Sequence, residues 1–214
     1  MPSGRPATPR RLTTRGAATR ERIVAAAAAE IFKRGVAGTT LDHIKAAAEV
    51  SSSQLYHYFA DKDALVMAVV EHQAQAVLDS QEPLLSQLDS LDALRAWRDH
   101  LVAHQYRVRC AGGCPLGTLG GELAETDPAA RTEVAAGFYR WEAAIRHGLT
   151  AMHQRGDLAA EADPERLATA TLAALQGGLM LTQITRKTSP LEAALDEMLA
   201  HITALATTPK AATQ

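Results

Sequence analysis

The sequence predicts an all-α fold with a small N-terminal domain of three helices and a larger helical body. Three observations support this prediction. Apolar residues recur at helical spacing along most of the chain. Three later segments open with a capping residue followed by proline, at Asp127-Pro128, Asp163-Pro164 and Ser189-Pro190. The composition, 47% hydrophobic and 21% charged, is ordinary for a globular protein of 214 residues.

Charge is distributed unevenly along the chain. Residues 1–62 hold ten Lys or Arg against five Asp or Glu, whereas the remainder holds twelve against nineteen. We call residues 1–62 the head and the remainder the body. A basic head before an acidic body favours a nucleic-acid contact confined to the head. Only two cysteines occur, the N-terminus lacks the apolar core of a signal peptide, and we see no run suited to a bilayer. We therefore expect a cytoplasmic protein without a membrane partner.

The first helix follows a basic, proline-containing segment. Residues 1–16 cannot bury much apolar surface, so we expect a flexible arm. Two interpretations of its arginines remain open. They are solvated, or they contact the phosphates or the minor groove of DNA. An amphipathic helix is expected from about Ala17 to Arg34, ending at Gly35.

Two short helical patterns, separated by a tight break, follow between Thr39 and Leu65. Apolar residues of the two patterns can pack together, and Ser51 suits the N-cap of the second. The outward side chains of that second helix are hydrogen-bonding groups: Ser52, Ser53, Gln54, Tyr56, His57 and Tyr58. For Tyr58, an outward position and a half-core position both remain open. Such a surface is typical of a helix that reads DNA, and Gln54 suits the donor and acceptor pair of adenine. The hydroxyl of Thr40 and the amine of Lys62 suit phosphates.

The same stretch resembles the N-terminal domain of TetR-type transcriptional regulators. The residues that carry the resemblance, within about residues 18–65, are Thr40, Ile44, Ala48, Val50, Ser51, Leu55, Tyr56, Phe59, Lys62 and Leu65. It implies DNA-facing positions at Thr40, Ser52, Ser53, Gln54, Tyr56, His57 and Lys62. Glu49 departs from the family, which usually has glycine at this turn.

Further helices are expected in the body. One runs from Asp61 to about Ser80; in the resembled family it links head and body. Another starts near Ser90, with Leu94, Trp97, Leu101, His104 and Val108 in line, so that His104 should face inward. The stretch CAGGCPLGTLGG, with five glycines and one proline, is expected to be an irregular connection. Three helices then follow, opening at the capping residues given above.

The last two helices are candidates for a subunit interface. Small residues lie along one and an apolar stripe along the other, and such faces let helices approach closely. The resembled regulators pair these helices with their two-fold mates in a four-helix bundle. The predicted interface residues are Thr171, Ala174, Gly178, Leu191, Leu195, Met198 and Ile202.

The body also resembles the C-terminal domain of the LmrA and YxaF branch of these regulators. The segments GCPLGTLGGELAE, WEAAI and QGGLMLTQITRKTSPL occur in the same order over about residues 110–205. The resemblance implies a small aromatic or drug-like inducer and control of efflux or catabolic genes. Candidate residues for an effector cavity are Trp97, His104, Phe138, Trp141, Gln176 and Met180.

Other chemistries are weaker hypotheses. Cys110 and Cys114 could form a thiol switch, although free cysteines are usually small buried hydrophobes. His100 and His104 have a chelating i, i+4 spacing without further ligands placed nearby, so no metal is assigned. No phosphate loop, nucleophile motif or assigned carboxylate pair indicates an enzyme, and no cofactor is expected.

The predicted organisation has four parts: a basic arm (residues 1–16), a helix-turn-helix domain (17–62), a ligand-binding and dimerisation domain (63–206) and a tail (207–214). It predicts a homodimeric, ligand-responsive repressor that binds a palindromic double-stranded DNA operator and is released by an apolar or aromatic effector. Alternatives are a thiol-based redox regulator and a helical small-molecule-binding protein without specific DNA binding.

Overall fold

The computed structural model describes residues 13–207, and it confirms the all-α class. Within this range no strand is present, although one isolated β-bridge joins Leu158 and Ala206. A short 3₁₀ turn, Leu85–Gln87, lies between α4 and α5. The helices are α1 (Thr14–Gly38), α2 (Leu41–Ala48), α3 (Ser52–Tyr58), α4 (Lys62–Asp79), α5 (Leu91–Arg107), α6 (Pro115–Leu123), α7 (Pro128–Arg155), α8 (Pro164–Thr185) and α9 (Ser189–Ala204).

The chain divides into two compact units, with the boundary inside α4 between Val69 and Val70. The first unit has its own apolar core, to which each of its helices contributes buried side chains. Examples are Ile23 of α1, Ile44 of α2, Leu55 of α3 and Leu65 of α4, none more than 1% exposed. The boundary lies seven residues beyond the predicted one because the first two turns of α4 supply core residues to this unit.

The first helix begins earlier than expected. Thr13 is its N-cap, and its hydroxyl accepts a hydrogen bond from the Gly16 amide at 3.2 Å, so residues 14–16 are helical. Residues 1–12, the rest of the predicted arm, and residues 208–214 of the predicted tail lie outside the described residues. The expected end at Gly35 is a break within α1: Gly35 leaves helical geometry with φ 73°, and the helix then continues to Gly38.

The expected irregular connection is confirmed only for the first half of the glycine-rich stretch. Residues 110–114 lie outside helices, with positive φ at Cys110, Gly112 and Gly113, whereas the second half is helical. Cys114 acts as N-cap and Pro115 occupies the first position of α6, a nine-residue helix. Its glycines permit close packing, since a Cβ at Gly120 would lie 3.2 Å from Val134 Cγ1 on α7. The predicted caps Asp127 and Asp163 are confirmed, and each carboxylate accepts two backbone N–H groups. The cap predicted at Ser189 is wrong, because Ser189 is already the first residue of α9 and Thr188 precedes it without a side-chain capping hydrogen bond.

The second unit is built around α8, which packs along α7 on one side and α9 on another. Gly178 allows α8 and α9 to meet closely: a Cβ there would lie 2.9 Å from Leu191 Cα. Among the described helices, α8 is the one that is long and apolar enough to cross a bilayer. The expectation that no apolar run is long enough for this was therefore wrong. In the fold it is a partly buried core helix of the second unit.

A second close approach brings α7 against the 3₁₀ segment. A Cβ at Gly148 would lie 2.1 Å from the carbonyl oxygen of Leu88, and Leu88 is itself buried. A backbone atom cannot rotate away as a side chain can. The glycine therefore fixes the distance between α7 and this segment.

We expect Gly148→Ala to lower the free energy of unfolding by about 1–3 kcal/mol, because the added methyl overpacks this contact. Urea denaturation followed by circular dichroism measures the change. Gly121→Ala on α6 is the matched control, since nothing lies within 4 Å of its Cβ and alanine favours the helix. Equal stability of the two variants would contradict this packing argument.

Candidate nucleic-acid interface and ligand cavity

Two short helices of the first unit form a helix-turn-helix. Both begin with a capping box, Thr40 with His43 on α2 and Ser51 with Gln54 on α3. Ile44 and Ala48 of α2 and Leu55 of α3 are all buried in the core of this unit, as the spacing predicted. Caps and core together fix α3 with its opposite face towards solvent.

The turn between these helices contains a left-handed residue, at the position where the resembled family usually has glycine. Glu49 has φ 52° and ψ 51° and closes α2, with its amide directed to the carbonyls of Lys45 and Ala46. A residue with a Cβ costs on the order of 1 kcal/mol in this conformation. Nearby, Arg22 Nε donates to the Ala48 carbonyl at 3.1 Å, so α1 supports the same turn.

The solvent face of α3 is polar and exposed. Ser52, Ser53, Gln54, Tyr56 and His57 are all exposed, and Tyr56 has 56% of its surface accessible. Tyr58 is intermediate in exposure, and its ring contacts His57 edge to face at 4.9 Å between centroids. These side chains offer hydroxyl, amide and imidazole groups in one short row.

Several predicted DNA contacts also hold the domain together. Gln54 Oε1 accepts from the Ser51 amide at 2.9 Å, and Thr40 Oγ1 accepts from the His43 amide at 3.3 Å. Ser52 Oγ accepts from Lys45 Nζ at 2.9 Å. These acceptor roles leave the Gln54 amide donors and the Thr40 hydroxyl hydrogen available to another acceptor.

Lys62 is half-buried, and its amine is engaged inside the first unit. Its Nζ donates to the Val36 carbonyl at 2.7 Å, beyond the break at Gly35. The lysine thus ties the start of α4 to the end of α1. Sequence reasoning assigned it to a phosphate because its position in the motif gives no sign of this internal acceptor.

The second unit contains a cavity of about 820 Å³ between α6, α7 and α8, within the size range of small-molecule sites. Several of its lining residues are exposed, so it opens at the surface. The lining is mainly apolar, with a few polar groups. It comprises Cys114, Gly117, Thr118, Gly120, Ala124, Arg131, Val134, Ala135, Phe138, Glu142, Thr169, Leu172, Ala173, Gln176, Gly177, Met180 and Gln183.

Three of the six predicted effector residues line this cavity: Phe138, Gln176 and Met180. Trp97 and Trp141 do not, since each is only 2% exposed in the core, and Trp97 Nε1 donates to Gln81 Oε1 at 2.9 Å. The inward orientation predicted for His104 is wrong. The buried stripe of α5 continues from Leu101 to Gln105, one residue further on, which leaves His104 exposed.

Cys114 lines the cavity from the start of α6. Its Sγ accepts from the Gly117 amide at 3.4 Å, and burial raises the pKa of the thiol above its usual range despite the hydrogen bonds around it. Cys110 is also buried and free. Because a protonated thiol is a weak nucleophile, these surroundings disfavour the redox alternative. Within residues 13–207, no group of three or more His, Cys, Asp or Glu is placed to hold a metal.

The predicted interface stripe is buried inside one chain. Leu191, Leu195 and Ile202 are at most 2% exposed and pack α9 into the second unit; Thr171 and Gly178 are buried too, and Ala174 and Met198 are half-buried. The fully buried members offer no area to a partner, so the stripe was wrongly assigned. A periodic pattern indicates burial without saying which surface causes it.

A different side of α8 carries large apolar side chains in solvent. Met180, Leu181 and Ile184 are 55%, 47% and 69% exposed. With Ala173 and Gly177 they recur at helical spacing and form what we call the α8 face. Sequence reasoning missed Leu181 and Ile184, although their helical spacing with Ala173, Gly177 and Met180 was a signal for them.

A helix-turn-helix in one unit and an apolar cavity in a second helical unit define a DNA-binding regulator of transcription. Two family models match the chain: "Bacterial regulatory proteins, tetR family" over residues 23–69 and "Tetracyclin repressor-like, C-terminal domain" over residues 90–198. The chain belongs to the TetR family. The second match covers the helices that form the cavity.

Similar proteins include regulators from several bacteria. An uncharacterised HTH-type transcriptional regulator from Lactococcus lactis is 29% identical over 187 residues, covering 83% of this chain and 90% of the relative. The HTH-type transcriptional repressor DhaR of Mycobacterium sp. is 25% identical, covering 81% and 86%. A crystal structure of a TetR regulator from Chloroflexus aurantiacus has TM-score 0.76 and 29% identity, covering 91% and 98%.

We expect Glu49→Gly to be more stable than Glu49→Ala by about 0.5–1 kcal/mol, because only glycine relieves the left-handed strain. Both variants remove the same exposed carboxylate, so the pair isolates the effect of Cβ. Urea titration of the two proteins measures the difference. A more stable alanine variant would show that the turn is not left-handed.

Proposed function

We propose that this protein is a homodimeric repressor that binds a palindromic DNA operator and is released by a small, largely apolar effector. The observation that carries the proposal is the exposed, hydrogen-bonding outer face of α3 on a capped helix-turn-helix. The name of DhaR as a repressor supports the direction of regulation. A regulator of this kind acts on DNA in the cytoplasm.

The α3 surface suits the major groove. Amide and hydroxyl donors read base edges, while the Thr40 hydroxyl and the α3 N-terminus suit phosphates. Tyr56, Ser53 and His57 are the side chains we assign to direct contact, together with the donors of Gln54 and Ser52. We do not assign Lys62 to a direct DNA contact, because its amine holds α4 to α1. Its role in this proposal is to keep the helices of the first unit in place.

The α8 face is the surface we assign to the second copy. Exposed apolar clusters of this kind mark interaction sites, and helix pairs of two subunits can bury them in a four-helix bundle. A two-fold pair then presents two α3 helices to half-sites about one helical turn apart. Ala174 and Met198 remain candidate contacts at the edges, since both keep partial exposure.

The cavity is the proposed effector site. Its mainly apolar lining supports a small aromatic or drug-like inducer, in keeping with the resemblance to the LmrA and YxaF branch, which we retain as a proposal. Met180 belongs both to the cavity lining and to the α8 face. An effector that moves this side chain would change the proposed subunit contact and thereby the spacing of the DNA-reading helices.

We expect Tyr56→Ala to weaken binding to the preferred operator by about 1–3 kcal/mol, the usual effect of losing a specific contact. The operator is first obtained by repeated selection from random double-stranded DNA with the purified protein. Fluorescence anisotropy at fixed salt then gives the affinities. Tyr106→Ala in the second unit is the control, since Tyr106 is 63% exposed but remote in sequence from α3. Equal operator affinity in both variants would exclude the assigned surface.

We expect Ile184→Glu to convert the dimer to a monomer at micromolar concentration, because the substitution places a carboxylate in an apolar interface. Sedimentation velocity measures the molecular mass. Ala129→Glu, at an exposed position in the first turn of α7, is the control and should remain dimeric. A wild-type monomer, or a dimer that tolerates Ile184→Glu, would refute this interface.

A further inference from the structure

One residue of the cavity lining has a buried hydrogen-bond donor that the protein leaves unsatisfied. Gln176 Nε2 is buried, and among the residues that the structure describes no acceptor meets hydrogen-bond geometry with it. Gln176 lines the cavity from α8. Buried polar groups nearly always find a partner, and an unpaired one costs free energy.

The immediate neighbours of this amide do not supply a strong acceptor. A Cβ at Gly117 would lie 3.1 Å from Gln176 Oε1 and 3.7 Å from Cys114 Sγ, so the carboxamide and the thiol both lie against α6. Gln176 would stabilise the thiolate form of Cys114, but burial raises the pKa of that thiol. The neutral sulfur that results is a weak acceptor.

Other unsatisfied atoms occur in the core but not at the cavity. They belong to Gln105, Trp141 and Thr182, and none of these residues lines the cavity. Gln176 therefore combines two properties: its carboxamide holds an unpaired donor, and the residue lines a ligand-sized space. Because Nε2 itself is buried, a ligand meets this donor when the carboxamide turns towards the cavity. This combination specifies one feature of the ligand.

The charged groups at the lining specify a second feature. Glu142 Oε1 accepts from the Thr169 hydroxyl at 2.9 Å, and Arg131 is exposed. The lining thus offers one charge of each sign, neither of which is buried beside Gln176 as a counter-ion. An ionised group placed deep among Val134, Phe138 and Leu172 would lose its hydration without a partner.

We propose that the cavity binds an uncharged, mainly apolar molecule whose carbonyl oxygen accepts a hydrogen bond from Gln176 Nε2. This assignment deepens the proposed function and rests on the cavity being its effector site. Gly117 is a positioning residue, because its lack of a side chain lets the carboxamide lie against α6.

The test uses the full-length protein and matched pairs of probes that differ in the carbonyl: benzophenone with diphenylmethane, and acetophenone with ethylbenzene. Calorimetric titration gives the affinities. We expect wild type to bind each ketone more tightly than its hydrocarbon by about three- to tenfold, the factor that one net hydrogen bond provides. In Gln176→Met, an apolar side chain of similar shape, this preference should disappear. Comparing both ligands in both proteins cancels the desolvation of the ketone itself.

A second pair of variants tests the positioning role. Gly117→Ala adds a methyl 3.1 Å from Gln176 Oε1 and should reduce the ketone preference, whereas Gly121→Ala adds the same methyl to the same helix with nothing within 4 Å and should keep it. Equal affinities for ketone and hydrocarbon in wild type, a preference that survives Gln176→Met, or no binding of any probe would each overturn the assignment.

Operator binding is measured separately without ligand. Its absence would overturn the proposed function, whereas its persistence without probe binding would overturn the ligand class alone.

Discussion

The second unit depends on the close approach of α8 and α9 at Gly178. No side chain fits there, since a Cβ would meet the Leu191 backbone at 2.9 Å. The contact commits the small-residue side of α8 to α9 and buries the stripe of Leu191, Leu195 and Ile202. The remaining sides of α8 do not contact α9 and have other roles. One side carries Gln176 and lines the cavity, and the next carries Leu181 and Ile184 in solvent.

Local signals in the sequence predicted local structure well. The caps at Asp127 and Asp163 were correct because a carboxylate before proline satisfies backbone N–H groups without help from tertiary structure. The α6 prediction failed because glycine counts as a helix breaker until packing is considered. Gly120 and Gly117 let α6 lie against α7 and Gln176, so tertiary contact outweighs the low helix propensity. The interface prediction failed for a related reason, because periodicity gives a buried face but not its partner.

The DNA-reading surface shows a finer limit of sequence reasoning. The family pattern correctly located the exposed row on α3, and it marked the turn at Glu49 as the position where the family usually has glycine. It could not separate side chains that face solvent freely from those that also hold the domain. Lys62 donates to Val36, and the acceptors of Gln54 and Thr40 cap their own helices. Such contacts depend on three-dimensional positions of backbone groups, which no spacing along the chain reveals.

A ligand can shift an equilibrium between two arrangements only as far as its affinity differs between them. In the proposed dimer Met180 provides this difference in affinity, because it lines the cavity and also belongs to the α8 face. Methionine is unbranched and adapts its shape readily, so it can occupy one position beside a filled cavity and another beside an empty one. Coupling of 1–3 kcal/mol, typical of allosteric proteins, changes operator affinity about 5- to 150-fold. In a two-fold dimer the side chain repacks in both subunits, so its contribution to the coupling free energy is doubled. A small apolar ligand in each cavity can therefore supply coupling of this size.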